Sequence, residues 1–254
     1  MDEVLVERAG RVLVVTVNRP QARNAINLAV SEGIMGAMRE LDADDALAVG
    51  VLTGAGGYFS AGMDLKAFAS GGLARRQGEG LSGTLVYEPP AKPLIAAVEG
   101  LALAGGLELA LACDMIVAAR GARLGLPEVK RGLTAAGGGL TRLPQRIPRN
   151  LAMEMVLTGD PITAERAAEL GLVNTVVDPG DARAAALALA TRIAENAPLA
   201  LAASKRVVDT APGWPADEVW ARQDAITAPV RASRDAQEGA RAFAERRAAQ
   251  WEGR

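Results

Sequence analysis

The chain has 254 residues, of which 50% are apolar and 23% charged, with 28 Lys and Arg against 30 Asp and Glu. This balance is typical of a soluble globular protein of one or two domains with a sizeable core. Its single Cys113 and its lack of histidine exclude disulfide scaffolds, Cys-rich zinc sites and every mechanism with an imidazole base. The chemistry that is left uses carboxylates, lysine or backbone dipoles. The single cysteine also indicates that the protein resides in a reducing compartment.

Targeting and surface charge indicate a cytoplasmic protein. The start, Met1 to Gly10, lacks the pattern of a secretory signal or transit peptide. The longest apolar candidate for a membrane span, Lys92 to Arg120, carries Glu99, Glu108 and Asp114. These charges argue against a membrane span. Basic residues do not cluster in one region of the sequence, so we expect no nucleic-acid partner either.

In the first half of the chain, strand-like runs alternate with helical periodicity. Two strands are predicted at Val4 to Glu7 and Val12 to Asn18, and the spacing of Ile34, Met35, Met38 and Leu41 predicts a helix over Leu28 to Leu41. Further strands are predicted at Ala48 to Thr53, Leu94 to Val98 and Met115 to Ala118. This order indicates the α/β class with largely parallel strands.

After about Asn150 the pattern is almost entirely helical. The single predicted strand is Val173 to Val177, and the predicted helices are Leu151 to Leu157, Ala164 to Leu170, Arg183 to Glu195, Leu199 to Thr210, Asp217 to Ile226 and Ser233 to Gln250. Thr163 and Asp181 are predicted helix caps. The glycine-rich segment from Gly71 to Gly83 is predicted to be a mobile loop.

Two glycine-bearing segments follow the early strands. Gly54 to Gly57 lacks the third small residue of a dinucleotide fingerprint, since position 59 is Phe, and is better explained as a turn with positive φ. Small residues between Phe59 and Leu65 allow close approach of a ligand to the backbone. The structural alternative is a tight turn in which Asp64 caps a helix that begins near Leu65.

Two later segments place carboxylates near glycines. A helix is predicted to start near Gly105, where free backbone amides bind anions or polarised carbonyl oxygens, with Glu108 one turn along. Glu128 taken alone is typical of a solvated loop acid. If the two acids converged, one could act as general base and the other as general acid, but sequence spacing does not decide this.

These segments, in order and spacing, resemble the crotonase or enoyl-CoA hydratase and isomerase superfamily. The resemblance rests on Phe59 to Leu65, Pro93 to Gly100, Ala104 to Leu109 and Leu124 to Glu128, and extends to Asn18 to Ala25 and Asp235 to Phe243. It implies a crotonase-like (ClpP/crotonase) α/β spiral of ββα repeats over residues 1–195, which holds the acyl-CoA site. It further implies a helical oligomerisation region over residues 196–254 that builds trimers or dimers of trimers.

The resemblance also implies roles for individual residues. The backbone amides of Met63 and Gly105 would form an oxyanion hole for the thioester oxygen, and Glu108 and Glu128 would be the acid and base. Substrate and CoA contacts would come from Ala22, Arg23, Ala61, Gly62, Asp64, Leu65, Lys66, Gly106 and Pro127. Arg246 or Arg247 would be further phosphate ligands, and Phe68 with the Gly71 to Gly83 loop would meet the acyl tail.

The implied activity is reversible syn addition of water to a trans-2-enoyl-CoA, with no metal and no cofactor beyond the CoA of the substrate. The alternatives are an enoyl-CoA isomerase, a specialised acyl-CoA dehydratase, and a non-catalytic acyl-CoA or RNA binder. Two positions and one segment depart from the family pattern: Glu99 replaces a frequent asparagine, Ala104 replaces a frequent glycine, and Thr134 to Gly139 lacks a frequent proline and a further glycine ahead of its glycine pair.

Overall fold

The computed structural model describes residues 2–69, 85–86 and 88–254. The strands are β1 Val4–Ala9, β2 Val12–Val17, β3 Val49–Gly54, β4 Leu94–Val98, β5 Leu101–Leu103, β6 Met115–Ala119, β7 Arg123–Gly125, β8 Ile162–Thr163 and β9 Thr175–Val177. The helices are α1 Leu28–Ala43, α2 Leu65–Ala69, α3 Gly105–Ala112, α4 Gly139–Arg146, α5 Arg149–Thr158, α6 Ala164–Glu169, α7 Ala182–Ala194, α8 Pro198–Thr210, α9 Val219–Arg231 and α10 Arg234–Glu245. Short 3₁₀ turns form at Pro20–Ala22, Pro127–Arg131 and Ala211–Gly213.

A six-stranded sheet in the order β1-β2-β3-β4-β6-β9 forms the centre of the molecule. Its strands are parallel except for β1, which pairs antiparallel with β2. Strands β2, β4 and β6 are nearly continuous apolar runs because helices cover both faces, whereas the edge strand β1 is largely exposed. The alanines of α7 at four-residue spacing cover one face and the predicted helix α1 lies against the other, which confirms the α/β class.

A second sheet of three short strands, in the order β5-β7-β8, produces the repeat of the fold. The chain passes from β4 through Gly100 into β5, and from β6 through Gly121 into β7. Each of these segments therefore gives one strand to the large sheet and the next to the small sheet. The sequence pattern missed all three short strands, because two or three residues are too few to show an alternation.

The structure corrects two details among the helices. Thr163 caps α6 as predicted, by accepting a hydrogen bond from the amide of Arg166. Asp181 makes no such bond at α7, so its predicted capping role is wrong. The last helix ends at Glu245, short of the predicted Gln250, because Arg246 takes a left-handed conformation with φ of 54°.

Helices α8, α9 and α10 follow Asn196, and α8 begins with Pro198 at its first turn. Lys205 on α8 forms a 2.7 Å ion pair with Asp114 of the sheet region. A division at residue 196 and an oligomerisation role for the last helices stay predictions. No helix within the described ranges is both long and apolar enough to span a bilayer. The loop from Gly71 to Gly83 and the side chain of Phe68 lie outside the described residues.

Candidate active site

The backbone amides of Met63 and Gly105 lie side by side. Residues Gly62 to Asp64 pair with Ile26 through hydrogen bonds of 2.8 and 2.9 Å. A Cβ added to Gly105 would lie 3.5 Å from the Met63 amide nitrogen. Neither amide donates to an acceptor within the part of the chain that the structure describes, so both are available to a ligand oxygen.

The approach of these two segments depends on an unusual backbone at Ala104. Its φ of 51° and ψ of −128° lie in a region that glycine occupies far more readily than alanine. Its amide donates to the carbonyl of Gly125, and it immediately precedes the first residue of α3. The strained turn therefore sets the direction of the Gly105 amide at the positive end of the helix dipole.

The carboxyl group of Glu108 is held inside the protein, one turn into α3. Its side chain is buried, and Oε1 accepts a 3.0 Å hydrogen bond from the amide of Gly139. A Cβ added to Gly137 would lie 2.6 Å from Oε2, so the glycine loop Gly137 to Gly139 wraps the carboxylate. Burial raises the pKa of Glu108, against the opposing influence of the Gly139 and Gly137 amides and of the positive charge of Arg142.

Glu128 lies in the 3₁₀ turn Pro127–Arg131, which ends at Gly132 in the left-handed conformation. Its Oε2 is buried and has no hydrogen-bond partner among the described residues. Burial raises the pKa of Glu128, and the negative charge of Glu108 raises it further. The interpretation of Glu128 as a solvated loop acid is therefore wrong.

A buried polar cluster that sequence reasoning missed supports the Met63 segment. The side-chain amide Nδ2 of buried Asn24 donates to the carbonyls of Ala55 and Tyr58, and the Ser60 hydroxyl donates to the backbone carbonyl of Asn24. The Ser60 oxygen in turn accepts a 3.1 Å hydrogen bond from the Gly62 amide. Both residues belong to the segments that carry the family resemblance, but a single sequence gives no sign that they bond each other.

The glycines Gly54 to Gly57 form the predicted turn. A Cβ at Gly54 would lie 2.6 Å from the Asn24 amide nitrogen, and Gly56 and Gly57 have φ of 69° and 78°. These glycines thus fit around the cluster.

Several proposed CoA contacts lie together beside this cluster. The amide of Ala61 donates a 2.9 Å hydrogen bond to the carbonyl of Arg23, which follows Ala22 at the end of a 3₁₀ turn. Arg23 and Lys66 are exposed, and neither has an ion-pair partner among the described residues. Both are therefore available to a phosphate group.

Asp64 and Leu65 also have the structural role that the sequence offered as an alternative, a helix cap and the first residue of the helix. The Asp64 carboxylate accepts hydrogen bonds from the amides of Lys66 and Ala67 and pairs with Arg19 at 3.1 Å. These contacts, led by the Ala67 amide, lower the pKa of Asp64. The predicted cap of α2 is confirmed, and the exposed side chain of Leu65 starts that helix.

The remaining candidates differ in exposure. Gly106 is buried, and a Cβ there would lie 2.3 Å from the Ser60 carbonyl oxygen, so it lets α3 pack closely. Pro127 is half-buried directly before Glu128. Arg247 pairs with Glu238 and Glu245, which occupies its guanidinium group, whereas Arg246 forms no such pair in the described part of the chain.

Comparison with known proteins agrees with this geometry. The sequence model of the family described as Enoyl-CoA hydratase/isomerase matches residues 7–254. The chain belongs to this family. Its fold is the crotonase fold: the crystal structure of an enoyl-CoA hydratase from Mycobacterium tuberculosis H37Rv is 58% identical, covers 100% of both chains and superposes with a TM-score of 0.96.

Two curated relatives show the range of names in the family. Enoyl-CoA hydratase EchA19 of Mycobacterium tuberculosis is 42% identical over 99% of this chain and 97% of the relative. Carnitinyl-CoA dehydratase of Salmonella typhi is 41% identical over 97% of each. The chain is thus an enzyme of the crotonase family, and its relatives are named for both hydration and dehydration of CoA thioesters.

Proposed function

We propose that this enzyme is an enoyl-CoA hydratase that adds water reversibly and syn across the double bond of a trans-2-enoyl-CoA to give a 3-hydroxyacyl-CoA. The observation that carries the proposal is the pair Glu108 and Glu128, two carboxyl groups with buried oxygens, of which Glu128 senses the charge of Glu108. One buried oxygen of this pair, Glu128 Oε2, has no partner among the described residues and is free to accept from or donate to a reactant.

The amides of Met63 and Gly105 would bind the thioester oxygen. When the water oxygen bonds to C3, the C2–C3 π electrons move toward the carbonyl, and negative charge develops on that oxygen. Two backbone donors fixed in place stabilise this enolate without reorganisation, and removal of one such donor costs about 100- to 1,000-fold in rate in other enzymes. Because the donors are backbone groups, the Met63 side chain can vary.

The surroundings of the two acids suggest which is the base. The amides of Gly139 and Gly137 and the charge of Arg142 favour the ionised form of Glu108. Glu128 has the Glu108 charge beside it, which favours its protonated form. Glu108 would therefore take a proton from the attacking water, while Glu128 gives its proton to C2, and both act from one face of the double bond.

The CoA moiety would lie along Ala22, Ala61 and Asp64, with Arg23 and Lys66 near its phosphates. The hydrogen bond between Ala61 and Arg23 and the short distance in sequence from Ala61 to Lys66 support this placement next to Met63. The expected acyl-CoA substrate brings its own CoA, so we propose no further cofactor and no metal.

The proposal is tested with the absorbance of the conjugated enoyl thioester of crotonyl-CoA and of a longer 2-enoyl-CoA. With the wild-type enzyme the absorbance of this band should fall as water is added across the double bond. Glu108→Gln and Glu128→Gln should each lower kcat roughly 100- to 10,000-fold, since each variant keeps its shape and loses proton transfer. Glu154→Gln, an exposed glutamate on α5, is the matched control and should keep wild-type activity.

Activity within about threefold of wild type in both site variants would contradict the hydratase assignment. Appearance of the conjugated band from a 3-enoyl-CoA, without gain of the mass of water, would identify an isomerase instead.

A dehydratase is the second candidate, and the 41% identity to carnitinyl-CoA dehydratase favours it. Dehydration is the same reaction in reverse, and the same pair of acids would serve it. The test is a comparison of kcat/KM for carnitinyl-CoA with that for unbranched 3-hydroxyacyl-CoA thioesters. A higher value for carnitinyl-CoA would assign the enzyme to the dehydratases.

We also infer a homotrimer, or a dimer of trimers, assembled through the last helices in the cytoplasm. Trp220 and Phe243 on α9 and α10 are 75% and 87% exposed, and large apolar side chains at this exposure favour association. Light scattering should give three or six times the mass of the 26.2 kDa chain. Trp220→Glu should lower that mass, while a monomeric wild type would overturn the inference.

A further inference from the structure

Two opposite charges lie close to the glycine loop Gly137 to Gly139. The amide of Gly139 holds Glu108 Oε1 at 3.0 Å. The guanidinium group of Arg142 is next to Gly138, because a Cβ added to Gly138 would lie 2.1 Å from Arg142 Nη1. Gly138 has φ of 97°, so a residue with a side chain is unfavourable there for two reasons.

The guanidinium group of Arg142 is fixed without an acid of its own. Its Nη2 donates a 2.6 Å hydrogen bond to the carbonyl of Val86, and the side chain is half-buried. Among the described residues Arg142 forms no ion pair. A partly buried charge that no acid neutralises is only weakly screened by solvent, so it acts on the acids near it.

The charged groups around this loop come from several elements. Glu108 on α3 lies across the loop, and Glu128 in the 3₁₀ turn lies beside Glu108. Asp209 on α8 and Arg146 at the end of α4 are the other charged groups within reach of Arg142. Among the described residues, Arg142 is the cation whose charge acts on the Glu108 carboxylate.

We propose that Arg142 is a positioning residue that presses the Gly137 to Gly139 loop onto Glu108 and keeps the Glu108 carboxylate ionised as the general base. This inference rests on the proposed hydratase function and deepens it. The loop amides and the guanidinium act on Glu108 in the same direction, since both oppose the rise in pKa that burial causes. Arg142 touches neither water nor substrate in this role and acts through Glu108.

The test is the pH profile of kcat/KM in Arg142 variants of the full-length enzyme. Removal of the charge in Arg142→Met should move the acidic limb, which reports protonation of the base, upward by about 1 pH unit. Arg142→Lys keeps the charge and should move the limb less. Arg149→Met removes an exposed arginine of α5 and should leave the profile unchanged.

A second pair of measurements separates positioning from folding. Arg142→Gln keeps a donor toward the Val86 carbonyl and is the alternative if Arg142→Met does not fold. A carboxyl ¹³C NMR titration, with the Glu108 signal assigned by its loss in Glu108→Gln, should show the same upward shift without any turnover.

The outcomes distinguish this inference from the proposed function. If Glu108→Gln is inactive but both the acidic limb and the NMR titration of Arg142→Met match wild type, Arg142 is only structural and the inference is overturned. If Glu108→Gln and Glu128→Gln are both fully active, the hydratase function fails first, and the NMR titration still reports whether Arg142 controls the ionisation of Glu108.

Discussion

Glu99 Oε1 accepts a 3.0 Å hydrogen bond from the amide of Ala182, the first residue of α7. The same oxygen accepts from the amide of Gly180 at 3.1 Å. A carboxylate that follows β4 thus caps a helix far along the chain, where free amides and the helix dipole favour a negative charge. This contact explains why Asp181 is not needed as the cap.

We expect Glu99→Ala to lower the free energy of unfolding by about 1 to 2 kcal/mol, because the cap and two hydrogen bonds are lost. Glu99→Gln keeps one acceptor and should cost less. Urea unfolding measures both, with Asp181→Ala as the control at about 0.5 kcal/mol or less. A larger loss in Asp181→Ala than in Glu99→Ala would refute the capping role.

Ala104→Gly should stabilise the protein by about 1 kcal/mol, since relief of the positive φ outweighs the greater backbone entropy of glycine in the unfolded chain. Thermal unfolding gives the direction, and kcat should stay near wild type because the Gly105 amide keeps its place. A fall in both stability and kcat would show that the alanine side chain is needed at this turn.

The stability of Glu128→Gln relative to wild type should depend on pH. The folded pKa of Glu128 is raised above its ordinary 4.5, so the folded state binds more protons than the unfolded state in the window between the two values. Wild type loses stability as the pH rises through that window. Glu128→Gln should therefore be the more stable protein at pH 7, and the difference should shrink as the pH falls toward 4.5. Denaturant unfolding at several pH values checks this, and a constant difference would contradict it.

Cys113 should be a probe of unfolding. It is fully buried and its thiol contacts the carbonyl of Leu109, and burial raises its pKa to about 12. The thiolate is therefore scarce and inaccessible, and the native protein should react with a disulfide reagent at least about 100-fold more slowly than the protein in urea. Equal rates in the two states would mean that the α3 end opens readily.

The residue pattern determined the secondary structure where a local signal was long enough. The parallel strands and the helix α1 were predicted close to their observed bounds, because burial on one or both faces repeats along these segments. The start of α3 at Gly105 and the place of Glu108 one turn later also follow from local sequence. Strands β5, β7 and β8 were not predicted, because they are defined by their pairing with one another and are too short to show a residue pattern.

The tertiary structure decided which groups meet. Glu128 is solvated by local criteria and becomes half-buried only because the fold brings its 3₁₀ turn close to α3, which carries Glu108. The contact of Gly139 with Glu108 depends on how α4 packs against α3, whereas Gly138 and Arg142 meet locally at the start of α4. Tertiary contacts of this kind cannot be read from local sequence. The burial of each acid, and therefore its pKa, depends on residues that are distant along the chain.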